Sequence, residues 1–149
     1  MSDQKTQKLL QLFYRETERV RLLDLDKLPT PDSKEQDALQ VWLAGKRDFA
    51  LEELTQQHWI KTCSAGHTTE LVLYPNGCLE EFTLFRRQKT AGEWQLINGM
   101  LVLSIYKDDN RYTSTVIANL GSSIHSAIEY KNDQLHAYLK LAQTRPQGI

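Results

Sequence analysis

The stretch GEWQLINGMLVLSIYK, residues 92–107, decides the fold of this chain. Apolar side chains recur at every second position on both sides of Asn98-Gly99, a dipeptide typical of two-residue β-hairpin loops. Such a loop places Trp94 opposite Leu103 and Leu96 opposite Leu101. All four side chains then lie on the same face of the hairpin. The stretch therefore predicts an antiparallel hairpin with one apolar face.

The period-two pattern extends in both directions from this hairpin and covers the chain from Trp59 onward. Clusters of Gly, Asn, Asp and Pro interrupt the pattern about every ten residues, which is typical of an antiparallel meander. The predicted strands span 68–74, 79–87, 93–97, 100–107, 111–120, 124–131 and 134–142. A further strand at 59–63 is compatible with the pattern, so the sequence predicts seven or eight strands.

Three more loops set the register of the later strands, at Asp109-Asn110, at Gly121-Ser122-Ser123 and at Asn132-Asp133. The predicted opposite pairs are Leu103 with Val116, Val116 with Ile128, and Glu129 with His136. The apolar face that results consists of Trp94, Leu96, Leu101, Leu103, Ile105, Val116, Ala118, Leu120, Ile124, Ile128, Leu135, Ala137, Leu139 and Leu141.

The opposite face of these strands is mixed and carries many polar side chains. The predicted register aligns Ser104, Thr115, Glu129 and His136 as one row across four neighbouring strands. Inside a concave sheet or a barrel such a row orients a polar group of a ligand, whereas on an outer face it is a solvated ladder. The candidate ligand-binding residues are Ser104, Tyr106, Thr115, Glu129, His136 and Tyr138.

Before residue 59 the apolar residues recur at helical spacing, which predicts a first helix over about residues 4–24. The prolines of the segment 28–32 interrupt this pattern. A second helix is predicted to begin with Ser33 as its cap, assisted by Gln36, and to end in a left-handed Gly45. Asp48 caps a short third helix in this interpretation.

These elements predict an α+β fold, with N-terminal helices followed by a seven- or eight-stranded antiparallel meander that is strongly curved or barrel-like. Two arrangements stay open, because the sheet can roll toward a barrel or the helices can cover its apolar face. We expect a single domain over residues 1–149, divided into a helical segment 1–58, a β meander 59–142 and a tail 143–149.

The composition excludes several classes of protein. The 149 residues include 18 Lys and Arg against 19 Asp and Glu, a net charge of −1, so we expect no nucleic-acid partner. We find no apolar run long enough for a signal peptide or a spanning helix, and we expect no membrane span and a cytoplasmic location. Two cysteines, Cys63 and Cys78, are too few for a disulfide framework.

Motifs for catalysis and metal binding do not emerge from the sequence. His58, Cys63, His67 and Cys78 are the only cluster of soft ligands, and they lack the close pairs of a structural zinc site. Glu129 separates the hydroxyl groups from His136 in the predicted row, which is the wrong order for a nucleophile and its base. We therefore expect no catalytic residues, no metal and no cofactor, and the sequence favours a protein that is not an enzyme.

Two hairpins resemble those of a known family. Residues 92–103, GEWQLINGMLVL, are similar to the G-x-W-x-(hydrophobic)-x-x-G-x-L-x-L hairpin of bacterial lipocalin-like (calycin-type) small β-barrel proteins. Residues 71–77, LVLYPNG, are similar to a second hairpin of that group, and the resemblance covers residues 68–107. Two features differ from the family pattern, because we expect no export signal and because about 55 residues of predicted helix precede the strands.

The resemblance implies a non-enzymatic bacterial binding protein whose curved sheet holds a small apolar or amphipathic ligand. Two alternatives stay open. The first is a protein-interaction or accessory module, of adaptor or immunity type, with an unknown protein partner. The second is an enzyme of unknown class. The sequence does not indicate an oligomeric state.

Overall fold

The structure, a computed structural model, describes residues 3–17, 22–84 and 88–144. The helices in these ranges are α1 (Asp3–Thr17), a 3-10 helix (Leu25–Lys27), α2 (Ser33–Ala44) and α3 (Leu51–Leu54). The strands are β1 (Lys46–Arg47), β2 (His58–Cys63), β3 (Thr68–Leu73), β4 (Cys78–Thr83), β5 (Lys89–Ile97), β6 (Met100–Lys107), β7 (Asn110–Asn119), β8 (Ile124–Lys131) and β9 (Gln134–Thr144). The longest helix in these ranges, α1, has 15 residues, and none of the described helices qualifies as a membrane-spanning segment.

Strands β2 to β9 form a closed antiparallel barrel of eight strands. Each of these strands pairs with the next along the chain, and β9 pairs back with β2, so that Gln143 lies opposite Trp59. The short β1 adds to the end of β7, where Lys46 pairs with Asn119. The α+β prediction and the barrel-like sheet are confirmed, and the strand at 59–63 is the one that closes the barrel.

One end of the barrel, which we call the closed end, is filled by the segment that precedes β2. Phe49 and Leu54 belong to the same buried cluster as the inward side chains of the strands, including the fully buried Trp59. The Trp59 indole N–H donates to the backbone oxygen of Leu54 at 3.1 Å, which holds α3 against the barrel. The opposite end, reached by the β2–β3 and β8–β9 hairpins, is the open end.

The first predicted register is confirmed, because Trp94 lies opposite Leu103 across the Asn98-Gly99 loop. The register predicted from Asp109-Asn110 is wrong, since Leu103 lies opposite Ser114 instead of Val116. The loop is Asp108-Asp109, whose φ angles of 50° and 67° suit a two-residue hairpin turn. A shift of two residues leaves the same side chains on the inner face.

The register predicted across Gly121-Ser122-Ser123 is wrong by one residue, and this error turns β8 over. Val116 lies opposite Ala127, so Ala127 and Glu129 face the barrel interior and Ile128 faces outward. The Asn119 backbone N–H donates to the His125 ring at 2.9 Å, a contact that fixes the longer loop. Leu120 and Ile124, which were expected on the apolar face, are exposed.

The direct pairing of Glu129 with His136 is also wrong. Tyr130 lies opposite Leu135 as predicted, but Glu129 lies opposite Ala137, because a bulge shifts the register between Glu129 and Tyr130. His136 is the extra residue of this bulge in β9. The bulge therefore brings Glu129 into the barrel while leaving His136 at the open end.

Helix α1 covers part of the outer face of the barrel. Leu12 of α1 packs in a buried cluster with Ile117 of β7 and Ile128 of β8. The helix predicted to reach residue 24 ends at Thr17; residues 18–21 lie outside the described residues and 22–24 are not helical. Helices α1 and α2 therefore pack on the outside of the rolled sheet, and of the described helices only α3 contributes to the inner core, at the closed end.

The predicted helix caps are shifted along the chain. The capping box of α2 consists of Asp32 and Glu35, each one residue before the predicted Ser33 and Gln36. The Asp32 carboxylate accepts a hydrogen bond from the Glu35 N–H at 2.8 Å. Gly45 ends α2 with φ of −90°, not in a left-handed conformation. Helix α3 begins after Ala50, so its cap is Ala50 and not Asp48. The Ala50 N–H donates to the side chain of Glu53, the third residue of the helix.

Candidate functional site

A cavity of about 680 Å³ occupies the open end of the barrel. We call it the open-end cavity. Its polar lining includes Lys61, Thr69, Glu81, Thr90, Lys107, Tyr112, Glu129 and His136. Its apolar lining includes Leu84, Ile105, Ala137 and Leu139, and Cys63 and His67 lie beside the β2–β3 hairpin. The cavity thus combines apolar walls with a few polar groups, which is typical of small-molecule sites.

An ionic cluster lies inside this cavity and joins three strands. The Lys61 Nζ of β2 is 2.6 Å from the Glu81 Oε2 of β4, which also accepts a hydrogen bond from the Thr69 hydroxyl at 2.6 Å. The same Lys61 Nζ is 3.8 Å from the Glu129 Oε2 of β8. Two buried carboxylates therefore share one ammonium group, and the closer ion pair is with Glu81.

Glu129 is the most unusual member of the cluster, because only 7% of the residue is exposed. Burial raises the pKa of its carboxyl group, while the charges of Lys61 and His136 lower it in part. His136 Nε2 lies 3.9 Å from Glu129 Oε1, beyond hydrogen-bond distance. The Glu129 carboxylate therefore accepts no hydrogen bond from the described residues, and its charge costs stability.

Replacing Glu129 with glutamine is expected to keep or raise the free energy of unfolding at pH 7, by up to about 1 kcal/mol. The pKa of Glu129 is raised in the folded state, so above its unfolded pKa the charged carboxylate destabilises the folded protein. Glutamine removes this charge, and Lys61 keeps its ion pair with Glu81 at 2.6 Å. Urea unfolding at pH 7 and pH 4 checks this. The difference in the free energy of unfolding between Glu129→Gln and the wild type should be smaller at pH 4. The exposed Glu93→Gln is the control; a loss above about 1 kcal/mol in Glu129→Gln at pH 7 contradicts the prediction.

The structure separates the six residues that the sequence proposed as one ligand-binding set. Glu129 and His136 line the open-end cavity together. Ser104 and Tyr106 alternate with the inward Ile105 on β6 and lie on the outer face, where Tyr106 is 50% exposed. The predicted row across four strands does not exist, because the register of β7, β8 and β9 differs from the prediction.

The other two members of that set lie beneath α1. Thr115 accepts a hydrogen bond from the Lys8 Nζ at 3.1 Å. Tyr138 donates to the Glu16 carboxylate at 2.6 Å, and burial together with this bond raises the pKa of Tyr138 to about 12. Both side chains therefore hold the helix to the barrel on its outer face.

Sequence reasoning missed Lys61 and Glu81, although the strand pattern contains a signal for them. In β2 the inward Trp59 is followed two positions later by Lys61, and in β4 the inward Leu79 is followed by Glu81. A charged residue at an inward position of a strand is uncommon in a packed core. Opposite charges on two such strands predict a polar cluster inside the sheet.

A second polar network seals the closed end. The Asn119 N–H donates to His125 Nδ1, so the proton is on Nε2, which donates to the Gln143 amide oxygen at 2.6 Å. The Gln143 amide donates to Glu53 at 3.1 Å, and Arg47 donates twice to the same carboxylate at 2.8 and 3.0 Å. These bonds lower the pKa of Glu53 to about 2, with Arg47 the largest cause. The network thus ties β1, α3 and the end of β9 together at this end of the barrel.

The four soft ligands considered from the sequence do not come together. His58 Nδ1 lies 2.6 Å from Glu70, Cys63 and His67 lie at the open end, and the exposed Cys78 begins β4 at the closed end. In the part of the chain that the structure describes, no group of three or more His, Cys, Asp or Glu residues could hold a metal ion.

Comparison of the whole chain with protein-family models, with curated proteins and with solved structures gives no match.

Proposed function

We propose that this protein binds a small amphipathic molecule in the open-end cavity and is not an enzyme. The observation that carries this proposal is the asymmetry of the barrel, which is packed at one end and hollow at the other. Eight-stranded barrels have an interior that side chains fill or that holds one small ligand. The cavity of about 680 Å³ lies within the range that small-molecule sites occupy.

Lipocalin-like kinship is part of the same proposal, and the two similar hairpins support it. They meet at the closed end, where the Trp94 indole N–H donates to the Tyr74 backbone oxygen at 2.8 Å. The Trp94 backbone N–H donates to the Gly77 oxygen at 2.9 Å. The tryptophan of one hairpin thus fastens the proline-glycine turn of the other, which gives the shared motif a structural role.

The proposal is tested with N-phenyl-1-naphthylamine, an uncharged amphipathic fluorophore, and with the two natural cysteines. Cys63 lines the open-end cavity, whereas Cys78 is exposed at the closed end and serves as an internal control. At a probe concentration about ten times Kd, alkylation of Cys63 by iodoacetamide should slow about tenfold, with Cys78 unchanged. Absence of probe binding, or binding with equal alkylation at both thiols, overturns the proposal.

Filling the cavity should abolish probe binding while the fold persists. Ala137 lines the cavity wall, so Ala137→Trp places an indole where the ligand should lie. Ala91→Trp is the matched control, because Ala91 is exposed on β5. We expect Ala137→Trp to weaken fluorophore binding more than about tenfold and Ala91→Trp to leave it within about twofold. Similar affinities for both variants, with both folded by circular dichroism, contradict a site in the cavity.

A further inference from the structure

Within the ionic cluster of the open-end cavity, the Glu129 side chain is the least exposed, and no described residue donates a hydrogen bond to it. The Glu129 side chain is 9% exposed, and the cationic atoms nearest to it in the described ranges are Lys61 Nζ at 3.8 Å and His136 Nε2 at 3.9 Å. Both distances exceed that of a charge-assisted hydrogen bond. Among the residues that the structure describes, none donates a hydrogen bond to this buried carboxylate, so its acceptor positions face the cavity.

The charge balance around Glu129 favours a cation. Lys61 lies 2.6 Å from Glu81, so its ammonium is already compensated. Counting Lys61, Glu81 and Glu129 together, the buried cluster carries one more negative than positive charge. Lys107 also lines the cavity, but it is exposed and stays hydrated. An anionic ligand would be repelled by the two carboxylates, and Lys107 would offset little of that repulsion.

We propose that the ligand of the open-end cavity carries a primary ammonium group on an apolar body, and that this group binds the Glu129 carboxylate. The inference rests on the function proposed above and names the chemical class of its ligand. Ammonium supplies three hydrogen-bond donors, which is what the carboxylate lacks. Ile105 and Leu139 supply apolar wall for the body, and the Tyr112 ring, 5.9 Å from that of His136, adds an aromatic wall that a cation tolerates.

The test compares three molecules that share one chain and differ only in their polar group: octylammonium, 1-octanol and octanoate. For each molecule we would measure the concentration that halves the alkylation rate of Cys63 at pH 7, with Cys78 as the internal reference. Octylammonium should act at a concentration about tenfold lower than 1-octanol, and octanoate should be the weakest. Equal potency of octylammonium and 1-octanol, or the strongest protection by octanoate, overturns the ammonium proposal.

Two variants locate the effect. Glu129→Gln keeps the size of the side chain and should reduce the advantage of octylammonium over 1-octanol to within about twofold, while 1-octanol itself is unaffected. Glu93→Gln removes one negative charge from the outer face and should keep the full advantage. An undiminished advantage in Glu129→Gln assigns the ammonium to another group and overturns the proposal. Failure of all three molecules and of N-phenyl-1-naphthylamine to protect Cys63 contradicts the binding function itself.

Discussion

Replacing Gly92 with alanine is expected to lower the free energy of unfolding by about 3 kcal/mol or more. A Cβ at this buried position of β5 would overlap the backbone oxygen of Ser104 and would lie 3.1 Å from the Cα of Ile105. Both atoms are backbone of β6, which moves only if the ladder between β5 and β6 opens. Glycine in a strand often marks such a close approach.

Urea unfolding of Gly92→Ala against Gly45→Ala measures this effect. Gly45 is the matched control, because its φ is −90° and its nearest contact for a Cβ is the Trp42 backbone oxygen at 3.5 Å. The control should stay within about 0.5 kcal/mol of the wild type. A loss below about 1 kcal/mol for Gly92→Ala would show that β5 and β6 lie farther apart than the structure places them. Because Thr90 and Ile105 line the cavity on these strands, binding of the fluorophore should weaken as well.

The hairpins were predictable because their turn residues act locally. Asn98-Gly99 and Asn132-Asp133 all have positive φ, as two-residue hairpin loops require, and the strands beside each loop pair as the sequence predicts for at least the first residues. A meander of such hairpins needs no long-range information to be recognised. The fold class followed from these local signals.

The errors arose where distant contacts decide the register. The loop before β8 is set by the bond from Asn119 to the His125 ring, a contact that no turn signature announces. The bulge at His136 leaves the Asn132-Asp133 loop intact and acts three residues beyond it. Because side chains alternate along a strand, one residue of slip moved Glu129 from the predicted row into the barrel.

The candidate site was only partly predictable for the same reason. Glu129 and His136 belong to one hairpin, and sequence reasoning brought them together although it placed them wrongly. Lys61 and Glu81 lie on β2 and β4, and they meet Glu129 only because β9 pairs back with β2 to close the barrel. That closure joins strands about 80 residues apart, and no local pattern specifies it.

Replacing His125 with leucine is expected to lower the free energy of unfolding at pH 7.5 by about 3 kcal/mol. His125 is fully buried at the closed end, where it accepts from the Asn119 N–H and donates to Gln143. Leucine leaves both groups buried without a partner, and each such group costs about 1–3 kcal/mol. It also removes the edge-on contact of the His125 ring with Phe49, at 4.9 Å between ring centres. His67→Leu, in the exposed β2–β3 loop, is the control and should change stability little.

The cost of His125→Leu should itself depend on pH. Burial lowers the pKa of His125, with the positive charges of Arg47 and Lys46 adding to this effect, while Gln143 and Glu53 oppose it. Because the folded pKa lies below the unfolded value of about 6.5, stability contributed by neutral His125 is present above that value and is lost as pH falls toward the folded pKa. Below pH 6.5 the free energy of unfolding of the wild type should therefore fall by up to about 1.4 kcal/mol per pH unit relative to the variant. The stability difference between them then narrows from pH 7.5 to pH 5. Glu53 does not interfere with this measurement. Its folded pKa is about 2, so the stability that its charge contributes is lost only as pH falls below the unfolded value near 4.5. A constant difference between wild type and His125→Leu over this range, measured by urea unfolding, would show that His125 does not stay neutral at the closed end.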